Sequence, residues 1–378
     1  MKKPAILQVL PALVSGGVER GTTEIAASLV KNDFRSYVAS QGGPMISSII
    51  HHGSKHLELP LASKNPFMIY KNSWSLIKII KEYDIDIVHA RSRAPAWSAY
   101  LAAKATGKKF VTTFHGIYSI NSAIKKYYNS IMLKGEKVIA VSNFAAKHII
   151  DNYDIDPSKI KVIHRGVDLD FFDPEKVSQE RIIQMVKRLH IQMDRPIILL
   201  PGRLTRWKGH KFLLNALKLL PKDSFYCLIV GHNQAHMSYR REIEAMISQY
   251  KLENDVALIT NLNDMPALYM LADIVVSTSI EPEAFGRVVI EAQSMGRSVI
   301  ATNIGGACET IIDNDTGWLV DVNNATMLAE KISQVMAIDP EKRKQQSVYL
   351  RNYITNNFSE KLMSDKTLEI YRSLLCSS

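Results

Sequence analysis

The chain has 378 residues and a formal net charge of +10, from 47 lysines and arginines against 37 aspartates and glutamates. This length suits two domains rather than one. The basic charge favours an anionic partner, such as nucleic acid, an acidic membrane surface or a phosphorylated substrate. The sequence carries no nucleic-acid-binding motif, so nucleic acid is not expected among the partners. No apolar run reaches the roughly 18 residues that a membrane-spanning helix requires.

The cysteines and the N-terminus both favour a cytoplasmic protein. Cys227, Cys308 and Cys376 are far apart and odd in number, which fits neither a disulfide framework nor a zinc site. The N-terminal MKKPAILQVL has the lysines and apolar stretch of a signal peptide, but Pro4 and Gln8 interrupt it. We therefore interpret residues 6–10 as a first buried strand.

The first half of the chain alternates predicted strands and helices. Strands are predicted at residues 6–10, 36–40, 86–90, 110–114, 138–142 and 161–163, and helices at 20–30, 74–82, 96–106 and from Ser142 onward. Gly16 and Gly17 stand between the first strand and the first helix, where glycine lets a ligand approach the backbone. The pair is not a G-x-G-x-x-G fingerprint, so NAD binding is not expected.

A histidine stands at the end of one predicted strand. His115 follows residues 110–114 in the sequence TTFHG. Ligands of α/β sheets bind at the carboxyl ends of parallel strands. We therefore predict that His115 is functional and acts by hydrogen bonding rather than as a nucleophile.

The second half repeats the alternation after a domain boundary that we place near Asp173. Strands are predicted at residues 196–200, 225–230, 256–259, 274–276, 298–302 and 318–320, and helices at 178–190, 211–219, 240–250, 264–272, 285–295, 325–336 and, amphipathic, 359–375. Three Asp-x-Asp pairs, at 84–86, 154–156 and 168–170, are interpreted as structural, because a hard cation needs several converging oxygens.

A basic motif, PGRLTRWKGH, follows the first strand of the second half. Arg203 offers a planar fork for two phosphate oxygens, and Lys208 offers a point charge. Placed against a leaving nucleoside diphosphate, both cations would stabilise the negative charge that develops. The motif therefore predicts a phosphate site.

Two glutamates eight positions apart mark the segment EPEAFGRVVIEA. Glu283 precedes the predicted helix and Glu291 lies about two turns inside it. The backbone N–H groups around Phe285, Gly286 and Arg287 form a helix N-terminus, which binds anions. Carboxylates accept hydrogen bonds from hydroxyls. The segment thus suits a sugar joined to a nucleoside diphosphate.

These motifs resemble those of the retaining glycosyltransferases with the GT-B fold, family 4 in particular, of the bacterial envelope polysaccharide or lipopolysaccharide type. The E-x7-E pair within PEAFGRV and the G-R-L-x-x-x-K-G motif carry the resemblance. It implies an α/β chain with two Rossmann-like domains that face each other across a cleft. Residues 1–173 would form the acceptor domain, and residues 174–358 the nucleotide-sugar domain. The C-terminal helix, residues 359–378, would pack back on the first domain.

The resemblance also implies roles for single residues. Glu283 would contact donor-sugar hydroxyls, Glu291 the ribose, and His115 the donor sugar. Gly16 and Gly17 would lie beside the donor phosphates and the acceptor. The remaining expected catalytic and substrate-binding residues are Arg203, Lys208, Phe285, Gly286, Arg287 and Val288, with Asn261 and Met265 near the base. In the turn HRGVD, Arg165 replaces the asparagine usual in the family.

The implied reaction is the retaining transfer of a hexose from a UDP- or GDP-linked donor to a hydroxyl of a lipopolysaccharide or another envelope glycan or glycolipid. No metal and no cofactor are expected, because Arg203, Lys208 and the helix amides can carry the phosphate charge. Two alternatives stand beside this reading: a nucleotide-sugar epimerase of similar architecture, and a non-catalytic polyanion-binding protein.

The resemblance further implies peripheral association with the inner face of the plasma membrane. Related enzymes dock a basic, partly apolar surface of the first domain on anionic lipid. The matching stretch contains Lys104, Lys108, Lys109, Lys125, Lys126, Lys134 and Lys137, with Tyr127, Tyr128, Ile131, Met132 and Leu133 between them. A solvated charged face is the simpler explanation of such a run, whereas the mixture with apolar residues suits a lipid surface.

Overall fold

The computed structural model describes residues 2–14, 16–191, 194–231, 237–260, 262 and 264–376. The chain forms two compact units. The first consists of Met1–Arg165 and Glu360–Ser378, and the second of Gly166–Ser359. Each unit is a parallel β-sheet surrounded by helices, which is a Rossmann-like arrangement.

The sheet of the first unit has, within the described residues, the strand order β3-β2-β1-β4-β5-β6-β7. Its strands are β1 Ala5–Val9, β2 Arg35–Ser40, β3 Lys55–Glu58, β4 Ile87–Ala90, β5 Lys109–Phe114, β6 Lys137–Ala140 and β7 Ile160–Val162. Its helices are α1 Gly17–Lys31, α2 Ile46–His51, α3 Pro66–Glu82, α4 Arg93–Thr106, α5 Ala123–Ser130, α6 Asn143–Asn152 and, from the end of the chain, α14 Glu360–Cys376.

The strand order reverses between β1 and β4, which pair directly with each other. In open α/β sheets, ligands bind beyond the carboxyl ends of the strands at such a reversal. The loops that follow β1, β4 and β5 meet at this edge, and they carry Gly16, Arg91 and His115 respectively. The fold therefore gathers these three residues at one edge of the first sheet.

The C-terminal helix α14 belongs to the first unit. Its apolar side chains Met363, Leu368 and Leu374 join a core with Ile6 of β1 and Ile87 of β4. The amphipathic spacing of the tail thus serves to cover one face of the first sheet.

The sheet of the second unit has, again within the described residues, the order β10-β9-β8-β11-β12-β13. Its strands are β8 Ile197–Pro201, β9 Tyr226–Gly231, β10 Val256–Thr260, β11 Ile274–Ser277, β12 Ser298–Thr302 and β13 Trp318–Val320. Its helices are α7 Gln179–Leu189, α8 His210–Leu217, α9 Met237–Gln249, α10 Met265–Leu271, α11 Arg287–Ser294, α12 Ala325–Met336 and α13 Pro340–Phe358.

The second sheet reverses its order between β8 and β11, which also pair with each other. The run Ile274-Val275-Val276 of β11 is fully buried, as its β-branched composition indicates. The loops that follow β8, β11 and β12 therefore lie side by side at the carboxyl edge of the sheet.

Strand β3 and the short helices α2 and α5 were not predicted from the sequence, and two longer helices also differ from the expectation. Helix α3 begins at Pro66 rather than at residue 74, because Asn65 caps it by accepting a hydrogen bond from the Phe67 N–H over 2.9 Å. Helix α13 was not predicted, because its polar residues show no helical apolar period. Asp339 caps α13 by accepting from the Glu341 N–H over 2.9 Å.

Within the part of the chain that the structure describes, no helix combines the length and the apolar character needed to cross a membrane.

Candidate functional site

Three loops converge at the carboxyl edge of the second sheet. The loop after β8 is tied to the loop after β11, because the Ile280 N–H donates to the Trp207 carbonyl over 2.8 Å. The loop after β11 is tied in turn to the loop after β12, where the Gly306 N–H donates to the Glu283 carbonyl over 2.8 Å. The two sequence motifs, 75 residues apart at Lys208 and Glu283, thus form one site.

The centre of this site is an ion pair. Lys208 Nζ donates to Glu283 Oε1 over 2.6 Å, and the two side chains are only 11% and 14% exposed. Ser279 Oγ donates to the same carboxylate oxygen over 2.5 Å. The Lys208 ammonium also lies 4.6 Å from the centroid of the Trp207 ring. These contacts fix the position of the glutamate while the lysine keeps further donors for a ligand.

The start of helix α11 is set by Gly286. This residue caps the helix with φ of 83°, a left-handed conformation that strongly favours glycine. A Cβ at this position would lie 2.8 Å from the Cβ of Ala307. The helix therefore begins at Arg287 rather than at residue 285, four residues after Glu283.

Phe285, in the loop between Glu283 and helix α11, has a buried side chain. It is 4% exposed, and its ring centroid lies 6.1 Å from that of Phe358. The ring is therefore part of the core. Val288, in the first turn of α11, is half-buried.

Glu291 lies one turn inside helix α11, and it is 7% exposed. It accepts a hydrogen bond from Tyr269 Oη over 3.1 Å. Arg287 Nε lies 3.5 Å from its other carboxylate oxygen, as an i,i+4 ion pair. These two neighbours hold the carboxylate in one orientation.

Two family models match the sequence of the chain. Residues 181–353 match "Glycosyl transferases group 1", and residues 15–171 match "Glycosyltransferase Family 4". A crystal structure of a glycosyltransferase from Rickettsia africae ESF-5 is 48% identical, with a TM-score of 0.93 and full coverage of both chains. The chain belongs to the group 1 glycosyltransferases.

More distant solved structures share the fold of this glycosyltransferase. Anabaena Alr3699/HepE, solved in complex with UDP and glucose, is 22% identical with a TM-score of 0.85, covering 98% of this chain and 100% of its own. WaaG, a glycosyltransferase involved in lipopolysaccharide biosynthesis, is 17% identical with a TM-score of 0.75, covering 97% and 99%. The predicted GT-B fold with two Rossmann-like domains is confirmed.

Two further predicted residues of the glycosyltransferase's second unit, Arg203 and Met265, are described by the structure. Arg203 is exposed, and its guanidinium carbon lies 5.9 Å from the Trp207 ring centroid. Met265 is the half-buried first residue of α10. Asn261 lies outside the described residues.

In the first unit, His115 follows β5, and the fold places Gly16 and Gly17 at the same sheet edge. Burial holds the pKa of the His115 imidazole well below its usual range, and the nearby charges of Arg91 and Arg165 lower it further. His115 Nε2 is sealed from solvent and has no hydrogen-bond partner among the described residues. The enzyme thus presents a neutral imidazole with one uncommitted nitrogen.

Several residues of the glycosyltransferase's second unit were not predicted from the sequence. Trp207, Ser279 and Tyr269 support the charged groups of the second unit, and His210 lies buried directly after the basic motif. Burial lowers the pKa of His210 to about 4, with Lys208 as a second cause. Trp207 stands inside the quoted basic motif and Ser279 stands two residues before the second motif, so their positions were usable signals. Tyr269 had none, because its partner is 22 residues away in sequence.

The predicted lipid-facing residues divide into two groups. Ile131 and Met132 are 1% and 0% exposed, so they are core residues and cannot contact a membrane. Tyr127 on α5 is instead 69% exposed. Ile124 on the same helix, which was not among the predicted residues, is 82% exposed. The apolar part of this surface is therefore smaller than the sequence suggested.

Proposed function

We propose that this glycosyltransferase moves a hexose, with retention of anomeric configuration, from a nucleoside-diphosphate sugar to a hydroxyl of a lipopolysaccharide or another envelope glycan or glycolipid. The observation that carries the proposal is the 2.6 Å pair of Lys208 and Glu283, with helix α11 beginning four residues after Glu283. It joins a cation for phosphate to an acceptor for sugar hydroxyls, and those are the two groups that a nucleotide sugar presents together.

Lys208 is proposed to hold the phosphate next to the sugar. An ammonium has three donors, so it can keep its bond to Glu283 while it binds a phosphate oxygen. Arg203 is exposed and can add a bidentate contact. Together with the amides at Gly286 and Arg287, these cations would offset the charge that grows on the leaving group. We therefore propose that the reaction needs no metal ion and no cofactor.

Glu283 and Glu291 are proposed to bind the two sugars of the donor. Glu283 accepts from hydroxyls of the transferred hexose, and Glu291 accepts from the ribose. Glu291 is already held by Tyr269 and Arg287, so it is preorganised and loses little conformational freedom when it binds. The nucleotide is proposed to be UDP or GDP, and the UDP-bound structures of the HepE neighbour support the first.

The proposed bond changes balance without an enzyme nucleophile. The bond between the anomeric carbon and the phosphate oxygen breaks, and the acceptor oxygen bonds to the same face of that carbon. The acceptor proton passes to the departing phosphate. His115, neutral and with Nε2 uncommitted, would orient a sugar hydroxyl by hydrogen bonding. Gly16 and Gly17 would let the acceptor approach the backbone.

The acceptor class rests on the envelope-type motifs, and the lipopolysaccharide role of the WaaG neighbour is consistent with it. A glycolipid acceptor would also explain a peripheral membrane surface on the cytoplasmic side. Exposed Ile124 and Tyr127 lie on α5 with Lys125 and Lys126 between them in sequence. Apolar residues flanked by lysines are the composition that binds an anionic bilayer.

A donor screen tests the proposal. The purified enzyme is mixed separately with UDP-glucose, UDP-galactose, UDP-N-acetylglucosamine, GDP-mannose and ADP-heptose, and thermal stabilisation and released nucleotide are both measured. We expect one donor to stabilise the protein and to be hydrolysed slowly. Conversion of the donor to an epimer with no transfer would support the epimerase alternative. Silence with every donor, together with salt-sensitive binding to polyanions, would support the non-catalytic alternative.

A further inference from the structure

The first unit contains a buried arginine whose charge is not matched by a hydrogen-bond partner. Arg91 directly follows β4, is 2% exposed, and is held by its backbone N–H, which donates to the Val9 carbonyl over 2.9 Å. Its Nε and Nη2 atoms are sealed from solvent and have no hydrogen-bond partner among the described residues. Burying a charged group without a partner is strongly unfavourable.

A second guanidinium lies in the same part of the unit. Arg165 is 5% exposed, donates from Nη2 to the Gly17 carbonyl, and lies 3.9 Å from Glu24 Oε2. It rests against α1 at Gly21, where a Cβ would lie 2.0 Å from Arg165 Nη2. Only glycine leaves this space, so the packing of α1 is built to admit the arginine.

Both arginines line one small cavity. Its volume of about 10 Å³ is room for one water-sized particle. The other polar side chains in its wall are those of Thr113 and Thr367, and the rest of the wall is apolar. The cavity can thus hold a single-atom ion or one water molecule, but no polyatomic ligand.

The buried charge of Arg91 lacks an ion-pair partner. Glu24 lies 3.9 Å from Arg165 in an ion pair, whereas no carboxylate forms an ion pair with Arg91 among the described residues. Burial holds the pKa values of the neighbouring His89 and His115 well below their usual range, so both are neutral at pH 7. A water molecule can accept a hydrogen bond, but it cannot offset the remaining positive charge.

We infer that this cavity is a binding site for one small monovalent anion, of the halide class, held between Arg91 and Arg165. The anion accepts hydrogen bonds from the uncommitted nitrogens of Arg91 and neutralises the buried charge. The site lies behind the edge of the first sheet that carries His115, and its occupancy does not depend on the identity of the sugar donor.

The direct test is crystallisation of the full-length protein in bromide, followed by anomalous diffraction. We expect an anomalous peak between the guanidinium groups of Arg91 and Arg165. Density for a water molecule without an anomalous peak would overturn the inference. A peak only elsewhere on the surface would overturn it equally.

A solution test uses thermal unfolding in sodium chloride and in sodium gluconate at equal ionic strength, because gluconate is too large for the cavity. A tenfold excess of chloride over its dissociation constant should raise the Tm of the wild type by about 3–5 °C relative to gluconate. The variant Arg91→Gln should lose this difference, whereas Arg188→Gln, at an exposed position, should keep it. Equal Tm values of the wild type in the two salts would contradict the site. If Arg91→Gln does not fold, the Tm values in the two salts are compared for Arg91→Lys instead. This variant keeps the charge but loses the guanidinium donors, so its Tm difference should be smaller than that of the wild type.

Discussion

At the scale of single residues, the function of the second unit depends on charges that sit in partly buried positions. Lys208 and Glu283 neutralise each other at 11% and 14% exposure. A pair of this kind contributes less to stability than its short distance suggests, because both groups lose water. We therefore attribute the arrangement to binding and catalysis, and the following two predictions separate these roles from folding.

The variant Lys208→Ala should lower turnover by about 10²–10³-fold, because it removes the cation that we propose to face the leaving phosphate. It also leaves Glu283 without its ion-pair partner, so a loss of stability of about 1–3 kcal/mol is expected. The rate is measured as nucleotide release, and folding by circular dichroism. Lys211→Ala is the matched control. Lys211 lies three residues after Lys208 and also pairs with a glutamate, Glu242, over 2.7 Å. A near-normal rate in Lys208→Ala would remove the lysine from the mechanism.

The variant Glu291→Ala should weaken binding of the free nucleoside diphosphate about 10- to 100-fold, because it removes the acceptor that we propose for the ribose. Isothermal titration calorimetry measures this affinity without any acceptor. Tyr269→Phe removes the 3.1 Å hydrogen bond to Glu291 but keeps the carboxylate, so it should cost less. Unchanged affinity in Glu291→Ala would exclude the ribose role.

At the scale of helices and strands, the sequence predicted most elements but not their polar supports. The run Ile274-Val275-Val276 is apolar and β-branched, and it became strand β11 as expected. Helix α13 has 19 residues and was not predicted, because its mostly polar residues show no helical apolar period. The N-cap residue Asp339 is its main sequence signal. Sequence patterns thus report burial well and report capped polar helices poorly.

Contacts between distant residues were likewise predictable only in part. Lys208 and Glu283 could be paired from their motifs, because both follow strands that the alternation of elements places side by side. The contact between His89 and Tyr371 could not be predicted, because the two residues are 282 positions apart. Only the packing of α14 on β4 brings them together, and no local pattern encodes that packing.

The contact between His89 and Tyr371 leads to a prediction for helix α14. The hydroxyl of Tyr371 lies 2.5 Å from His89 Nδ1, and both residues are fully buried. Tyr371→Phe keeps the ring but leaves the His89 nitrogen without a partner, which should cost about 1–3 kcal/mol of stability. Thermal unfolding measures the loss. Tyr349→Phe is the control, because that hydroxyl bonds Asp315 at the surface and should change Tm little. Equal effects of the two variants would show that the buried bond is unimportant.

At the scale of the whole molecule, charge and titration act together. The chain carries a net charge of +10 with its histidines neutral, so each histidine that gains a proton adds to a surplus of positive charge. Burial lowers the pKa values of several histidines, among them His89, His115 and His210. Their unfolded pKa is about 6.5. Below that pH the unfolded chain binds protons that the folded chain cannot bind, and stability therefore falls as the pH falls.

His210 gives this acid sensitivity a magnitude. Its pKa of about 4 in the fully buried state, against about 6.5 when unfolded, corresponds to a loss of about 2 kcal/mol between pH 7 and pH 5. The loss approaches its full size only below pH 4. We expect the Tm of the wild type to fall more steeply over this range than that of His210→Gln, which has no proton to gain. His190→Gln, at an exposed position, should follow the wild type. Parallel Tm profiles of the wild type and His210→Gln would show that His210 is protonated as readily in the folded state as in the unfolded state.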